Sequence, residues 1–142
     1  MCGICGMAGE KVEESEILKR MMDKMHHRGP DGEGMYQSEH AALGFKRLSI
    51  IDLDHGDQPM YNEDDSLVLV FNGEIYNYKE LVEELTAKGH KFRNRSDSEC
   101  LLHAYEEYGK EMVHHLRGMF AFAIWDEKEE TRIEANGTSI EE

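Results

Sequence analysis

No apolar run in this sequence approaches the ~20 residues that a helix needs to cross a bilayer. Nor does the opening, Met1-Cys2-Gly3-Ile4-Cys5-Gly6, carry the basic segment and long apolar stretch of a secretory signal. A membrane is therefore not an expected partner. Positive charge is also scarce: 16 Lys and Arg stand against 30 Asp and Glu, a formal net charge of −14. That balance repels phosphate backbones, and no basic stripe interrupts it, so nucleic acid is excluded as a partner. The three cysteines are an odd number and do not make a disulfide framework, and the reducing cytoplasm is the expected setting. HExxH, paired CxxC sets and the phosphate-binding glycine loops are all missing. The adjacent pairs His26-His27 and His114-His115 diverge by about 100° on a helix. No metal site is expected from them.

What remains is ample for one core. Hydrophobic residues make up 39 % of 142 positions, with one Trp, five Phe and six Tyr. The glycine-rich start, Met1 to Gly9, suits a strand close to other backbone. Ile17, Leu18, Met21, Met22 and Met25 share the face of a helix that Gly29 and Pro30 would stop. His27 to Gly34 holds too many turn formers to be a core element. Short strands are predicted at Met35–Gln37, Ala41–Phe45 and Leu48–Leu53, with a loop from Asp54 to Pro59. Ser66 to Phe71 reads as a buried strand running into Asn72-Gly73, a turn signal. Tyr78 to Lys88 predicts an amphipathic helix ended by Gly89. Ser96 with Glu99 matches a capping box opening a second helix. From Met119 to Trp125, Phe120, Phe122 and Ile124 alternate with alanines, which predicts a sheet strand. Beyond it, Asp126 to Glu142 has seven acidic and two basic residues and reads as a polar tail rather than an edge hairpin. Strands in clusters followed by helices indicate a mixed layered fold.

Cys2 is one cleavage from the chain start. With Met1 removed it would carry a thiol and a free α-amine, reference pKa values about 8.5 and 7.7–8.0, so one residue would supply nucleophile and proton acceptor. Its bland alternative is a small hydrophobe near a chain end. Cys2 and Cys5 also form a lone CxxC, without the helix a redox pair expects. Asn72 and Gly73 can present a side-chain and a backbone N–H to an oxyanion, or can form a simple turn. The Arg47 guanidinium, between apolar stretches, suits a substrate carboxylate. Asp97 can hold an ammonium group or merely favour a helix start, and Glu74 is similarly ambiguous. Together Arg47, Asp97 and Glu74 would make a pocket for a zwitterion.

The ordered set of motifs is more specific than any one of them. Met1-Cys2-Gly3-Ile4, His27-Arg28-Gly29-Pro30-Asp31-Gly32-Glu33-Gly34, Arg47-Leu48-Ser49-Ile50-Ile51-Asp52-Leu53, Gln58-Pro59-Met60, Phe71-Asn72-Gly73-Glu74-Ile75-Tyr76-Asn77, Ser96-Asp97-Ser98-Glu99 and Arg117-Gly118-Met119-Phe120-Ala121-Phe122-Ala123 follow one another in order. This series resembles the N-terminal glutaminase domain of the glutamine-dependent asparagine synthetases, a branch of the N-terminal-nucleophile amidotransferases. The resemblance implies an α+β fold, a four-layer α/β/β/α sandwich of two stacked antiparallel sheets. It implies hydrolysis of L-glutamine to L-glutamate and ammonia through a γ-glutamyl thioester on Cys2. Asn72 and Gly73 would hold the oxyanion, while Arg47, Leu48, Ile50, Glu74 and Asp97 would bind substrate. His27, Arg28 and Asp31 would organise a loop over the site. No cofactor is implied for glutamine hydrolysis; ATP and magnesium would belong to a synthetase domain, the implied partner for the ammonia.

The sequence departs from the family pattern after Trp125, where further apolar strands are expected and Glu127-Lys128-Glu129-Glu130 stands instead. The expected organisation is a partial glutaminase domain over 1–125 and an acidic tail over 126–142, with no synthetase domain. Two alternatives stay open: a non-catalytic interaction or regulatory module of the same fold, or a glutaminase subunit serving another synthetase.

Overall fold

Alternation decides the layers. In the computed structural model, which describes residues 2–12, 15–48 and 57–139, the strand Leu67–Ile75 runs without a register break beside Gly118–Asp126. Leu67, Leu69 and Phe71 turn to one side, where they join Phe122 and Ile124 in a core with the helices. Val68 and Val70 turn to the other, with Ala123 and Trp125, and meet Ala41, Leu43 and Phe45 of a second sheet. A strand that is apolar on both faces must be covered on both faces.

The elements in chain order are β1 (Gly3–Ala8), α1 (Ser15–Lys24), β2 (Gly32–Gln37), β3 (Ala41–Arg47), β4 (Met60–Tyr61), β5 (Leu67–Ile75), α2 (Tyr78–Ala87), α3 (Asp97–Tyr108), β6 (Gly118–Asp126) and β7 (Thr131–Ser139). Short 3₁₀ turns occupy His26–Arg28 and Gly109–His115. One sheet has the order β1-β3-β2 and the other β4-β5-β6-β7, with every pairing antiparallel. α1 covers the outside of the first sheet through Leu18 and Met22, which pack on Ala42. α2 and α3 cover the outside of the second through Leu81, Val82, Leu85, Leu101 and Leu102. The molecule is thus the four-layer α+β sandwich with two stacked antiparallel sheets that the family resemblance implies. Among the described residues no helix is long and apolar enough to cross a membrane.

Both helices of the second outer layer have the expected boundaries. α2 ends in a Schellman motif: His90 N–H donates to the Leu85 carbonyl at 3.0 Å and Gly89 N–H to that of Thr86, with Gly89 at φ 101°. α3 is capped by Ser96, whose hydroxyl accepts the Glu99 N–H at 3.1 Å. The Glu99 carboxylate reaches past the cap to the N–H groups of Arg93 and Asn94. It therefore fastens the α2–α3 connection rather than closing the box.

Three expectations need correction. Asn72-Gly73 is not a turn but the interior of β5, paired with Ala121 and Phe120; the turn signal loses to an apolar partner strand. β2 begins at Gly32 rather than Met35, because Gly34 lets the strand lie against the Gln58 carbonyl, 1.8 Å from where a Cβ would stand. The residues assigned to a polar tail include β7, a full edge strand on β6. An edge strand needs only one apolar face, and Ile133, opposite Ile124 and 8 % exposed, with Ala135 supplies it. The turn before β7 is built by Asp126, whose carboxylate accepts the N–H groups of Lys128 and Glu129 at 3.1 Å. Of the predicted strand Leu48–Leu53, only Leu48 is described, and it lies outside any strand.

Ile133→Ala distinguishes strand from tail. Loss of this buried side chain lowers the unfolding free energy by about 2–4 kcal/mol in urea titrations. A tail residue would change it by no more than about 0.5 kcal/mol.

Candidate active site

Cys2 stands one residue before β1, and the alternation that sends Ile4 inward sends Cys2 inward as well; both pack on the cluster between the sheets. Its sulfur is fixed from across the sheet. Sγ accepts the Leu48 N–H at 3.3 Å and lies 3.8 Å from the Leu48 carbonyl, to which the thiol donates. The Arg28 guanidinium donates to the Cys2 carbonyl at 3.2 Å, so Arg28 fixes the backbone of the nucleophile candidate. The other two thiols are poor competitors: burial raises the pKa of Cys5, and burial with nearby carboxylates pushes Cys100 up to about 12.

The glycines of the Arg28 loop explain how it reaches this place. Gly29 lies on the end of β3, and a Cβ there would stand 2.4–2.6 Å from the Lys46 and Arg47 backbone. Asp31 N–H then donates to the Arg47 carbonyl at 3.0 Å. Arg47 continues the inward face of Leu43 and Phe45. Its side chain is only 14 % exposed, and the guanidinium meets the fully exposed Asp57 carboxylate at 3.5 Å. Cys2, Arg28, Asp31, Arg47 and Leu48 thus form one neighbourhood at the β1/β3 end of the first sheet. His27 is exposed on the 3₁₀ turn beside it. Ile50 lies outside the described residues.

A second group sits on β5. Asn72 follows Val68 and Val70 on the inward face, and Cys2 packs on the cluster that contains them. Gly73 has φ 140°, and a Cβ there would be 2.2 Å from the Met119 carbonyl oxygen. Only glycine fits. Glu74 is exposed at the strand end. Asp97, the first residue of α3, is half-buried and accepts the N–H of Ser98 at 2.9 Å and that of Ile75 at 3.4 Å. Burial raises its pKa, and the charge on Glu74 raises it further, while the N–H donors only partly compensate. A carboxylate pair with an unfavourable charge is a natural seat for a cation. The two groups are joined by packing between the sheets.

Gln58 holds this arrangement together and was not marked as a site residue by its chemistry. Its side-chain amide accepts the Phe71 N–H at 2.6 Å and donates to the Phe71 carbonyl at 3.1 Å. One side chain thereby replaces a neighbouring strand next to Asn72. The Gln58-Pro59-Met60 motif was the available signal. Asn77 is similar: it donates to the His115 carbonyl at 2.8 Å and accepts the Arg117 N–H at 2.9 Å, tying the end of β5 to the start of β6.

A cleft of about 760 Å³ opens between the sheets, lined by Ile4, Cys5, Val70, Ala121, Ala123 and Glu134 among others. It lies beside the candidate residues rather than on them: its wall includes the neighbours of Cys2 and the strand partner of Asn72. Chemistry and convergence of polar groups, not cleft size, locate the site.

Gly73→Ala tests the strained position. The positive φ alone costs about 1–3 kcal/mol, before the contact with Met119 is counted, and the urea midpoint falls accordingly. A midpoint equal to that of the parent would show that β5 relaxes there without cost.

Comparison with known proteins bears on the family and the fold. The family model described as a glutamine amidotransferase domain matches residues 1–135. The chain is 46 % identical over 134 residues to asparagine synthetase [glutamine-hydrolyzing] 1 of Bacillus subtilis, covering 91 % of this chain and 21 % of that protein. It is 43 % identical over 132 residues to a probable asparagine synthetase [glutamine-hydrolyzing] of Dictyostelium discoideum, covering 90 % of this chain and 24 % of that one. It therefore spans less than a quarter of the length of these relatives. Among solved structures, the glutamine phosphoribosylpyrophosphate amidotransferase of B. subtilis aligns with TM-score 0.68 over 87 % of this chain and 35 % of its own, at 22 % identity, a likeness of fold. With the family model matched from the first residue through most of β7, the chain belongs to the glutamine amidotransferase domain family.

Proposed function

We propose that this domain hydrolyses L-glutamine to L-glutamate and ammonia with Cys2 as nucleophile. The observation that carries the proposal is the placement of the Cys2 sulfur, inward-facing at the mouth of β1 with the Leu48 N–H on it, in a chain of this family. After removal of Met1, the Cys2 α-amine accepts the thiol proton and the sulfur attacks the γ-carbonyl carbon. The new S–C bond makes a tetrahedral oxyanion, received by the Asn72 side-chain amide and the Gly73 N–H. Collapse breaks the C–N bond, the proton passes to the leaving nitrogen, and ammonia departs. Water then attacks the γ-glutamyl thioester, breaks the C–S bond, releases glutamate and restores the thiol.

Substrate is held at both charged ends. Arg47 takes the α-carboxylate in place of its contact with Asp57, a weak pair because Asp57 is fully exposed. Asp97 and Glu74 take the ammonium group, which relieves the penalty of the buried Asp97 charge. Leu48 positions the sulfur, and the family resemblance adds Ile50 to the substrate-binding residues. Arg28 and Asp31 bind backbone at Cys2 and Arg47, and His27 belongs to the same loop. Glutamine hydrolysis by this route needs no cofactor. The ammonia would pass to a synthetase module, a reading supported by the similarity to glutamine-hydrolyzing asparagine synthetases; ATP and magnesium would belong to that module.

Glutamate release by the full chain, lacking Met1, tests the reading. Cys2→Ala reduces it to background, whereas Cys5→Ser retains it. Equal rates in both variants would overturn Cys2 as nucleophile. Asp97→Asn raises KM for glutamine by about 10–100-fold, the value of a charge-assisted hydrogen bond of about 1.5–3 kcal/mol.

The pH dependence has a definite sign. Asp97 has a raised pKa in the folded protein, so its carboxylate is lost as pH falls through a value above the ordinary 3.8. Glutamine binding therefore weakens on the acid side in the parent protein and loses that limb in Asp97→Asn. The same shift makes the free protein gain stability from Asp97 as pH falls through that window, because the folded state then binds the extra proton. A KM that stays flat on acidification would contradict the assignment of Asp97.

A further inference from the structure

On the far side of the second sheet from Cys2, three donor atoms converge. His90 closes the α2 Schellman motif, and His103 and Glu106 lie three residues apart on one face of α3. His90 Nδ1 is 3.2 Å from His103 Nδ1, His103 Nδ1 is 3.3 Å from Glu106 Oε2, and His90 Nδ1 is 3.4 Å from the same oxygen. All three ligand atoms form one near-equilateral triangle. Donors bound at about 2.0–2.1 Å in a tetrahedron stand about 3.3–3.4 Å apart. The triangle is one face of such a tetrahedron.

The atoms behind the triangle are also arranged. His90 Nε2 faces Glu107 Oε2 at 2.8 Å, and His103 Nε2 faces Glu99 Oε1 at 3.6 Å. Each imidazole thus has a carboxylate on its outer nitrogen, the arrangement that turns Nδ1 into a lone-pair donor toward the triangle. The second oxygen of Glu106 accepts from the Asn62 side-chain amide at 3.2 Å, which leaves Oε2 for the centre. Phe92 lies on the His103 ring, centroid to centroid 4.4 Å, and His103 is 3 % exposed, so its ring is fixed. We infer that His90, His103 and Glu106 bind a divalent transition ion of the zinc type, two nitrogens and one carboxylate oxygen, with water in the fourth position.

Negative charge surrounds the two imidazoles: Glu106 lies in the triangle, Glu107 beside His90 and Glu99 beside His103. A metal would clip the α2–α3 connection onto α3, next to the Glu99 contacts with Arg93 and Asn94. Its role is structural, on the layer that carries Asp97 at its other end.

Cobalt(II) alone, added to the full chain after chelator treatment, reads the site by its visible d–d bands. One equivalent should bind with four-coordinate band intensity and no thiolate-to-cobalt charge-transfer band in the near ultraviolet. His90→Gln and Glu106→Gln, chosen because both positions reach the surface, should weaken binding by more than the roughly 10–100-fold that loss of an outer partner costs. Their metal-free melting and circular dichroism serve as the fold control. Zinc alone should raise the melting temperature of the parent and not of His90→Gln. The Cys2→Ser/Cys5→Ser double variant should keep the bands. Absence of bands at millimolar cobalt would overturn the inference. So would bands lost in the cysteine variant and kept in the other two.

Discussion

The contact between the two sheets is the constraint on which the rest depends. Val68, Val70, Ala123 and Trp125 on one side meet Ala41, Leu43 and Phe45 on the other. Shifting either strand set by one residue would send these side chains outward and the polar ones inward. The same register fixes the parity of Cys2, Arg47 and Asn72, which each lie two positions beyond the last apolar inward residue, Ile4, Phe45 and Val70 respectively. The site is the polar continuation of the core. Cys2 needs no helix or metal to aim it; the strand pleat does so, and Leu48 and Arg28 lock the last degree of freedom.

Polar side chains then do the work of missing backbone. Gln58 stands in for a strand beside Phe71, Asn77 bridges β5 to β6, and Glu99 ties two loop amides. Each sits where a strand or helix ends near the candidate site, where regular pairing runs out. Buried N–H and carbonyl groups there would otherwise lie unsatisfied, at about 1–3 kcal/mol each. These residues are therefore structural supports of the candidate site, and their substitution would act on it at a distance of one hydrogen bond.

Much of this was legible in the sequence. The alternation of Phe120, Phe122 and Ile124 gave β6, and Ser96 gave the start of α3, because local pattern and tertiary outcome agree there. Asn72-Gly73 misled, since a turn signal is local and the β6 partner is not; Met119, across the ladder, demands the glycine for another reason. β7 was hidden because an edge strand with one buried isoleucine has almost the composition of a tail. The candidate residues Cys2, Arg47, Asn72, Gly73 and Asp97 were legible as chemistry, and the ordered motifs as a family. The cluster of His90, His103 and Glu106 was not, because two segments 13 residues apart meet only after α2 and α3 pack. A scan for His-x-x-Glu on one helix face would have found two of its three residues.

The central claim, that Cys2 is the nucleophile of a glutamine pocket, is most directly tested by intact-protein mass spectrometry. The full chain is weighed before and after exposure to a glutamine analogue bearing an electrophile at the γ position, with peptide mapping of any adduct. The account predicts loss of Met1 and a single adduct on Cys2, suppressed by free L-glutamine. Retained Met1 without an adduct, or an adduct on Cys5 that glutamine does not suppress, would contradict it.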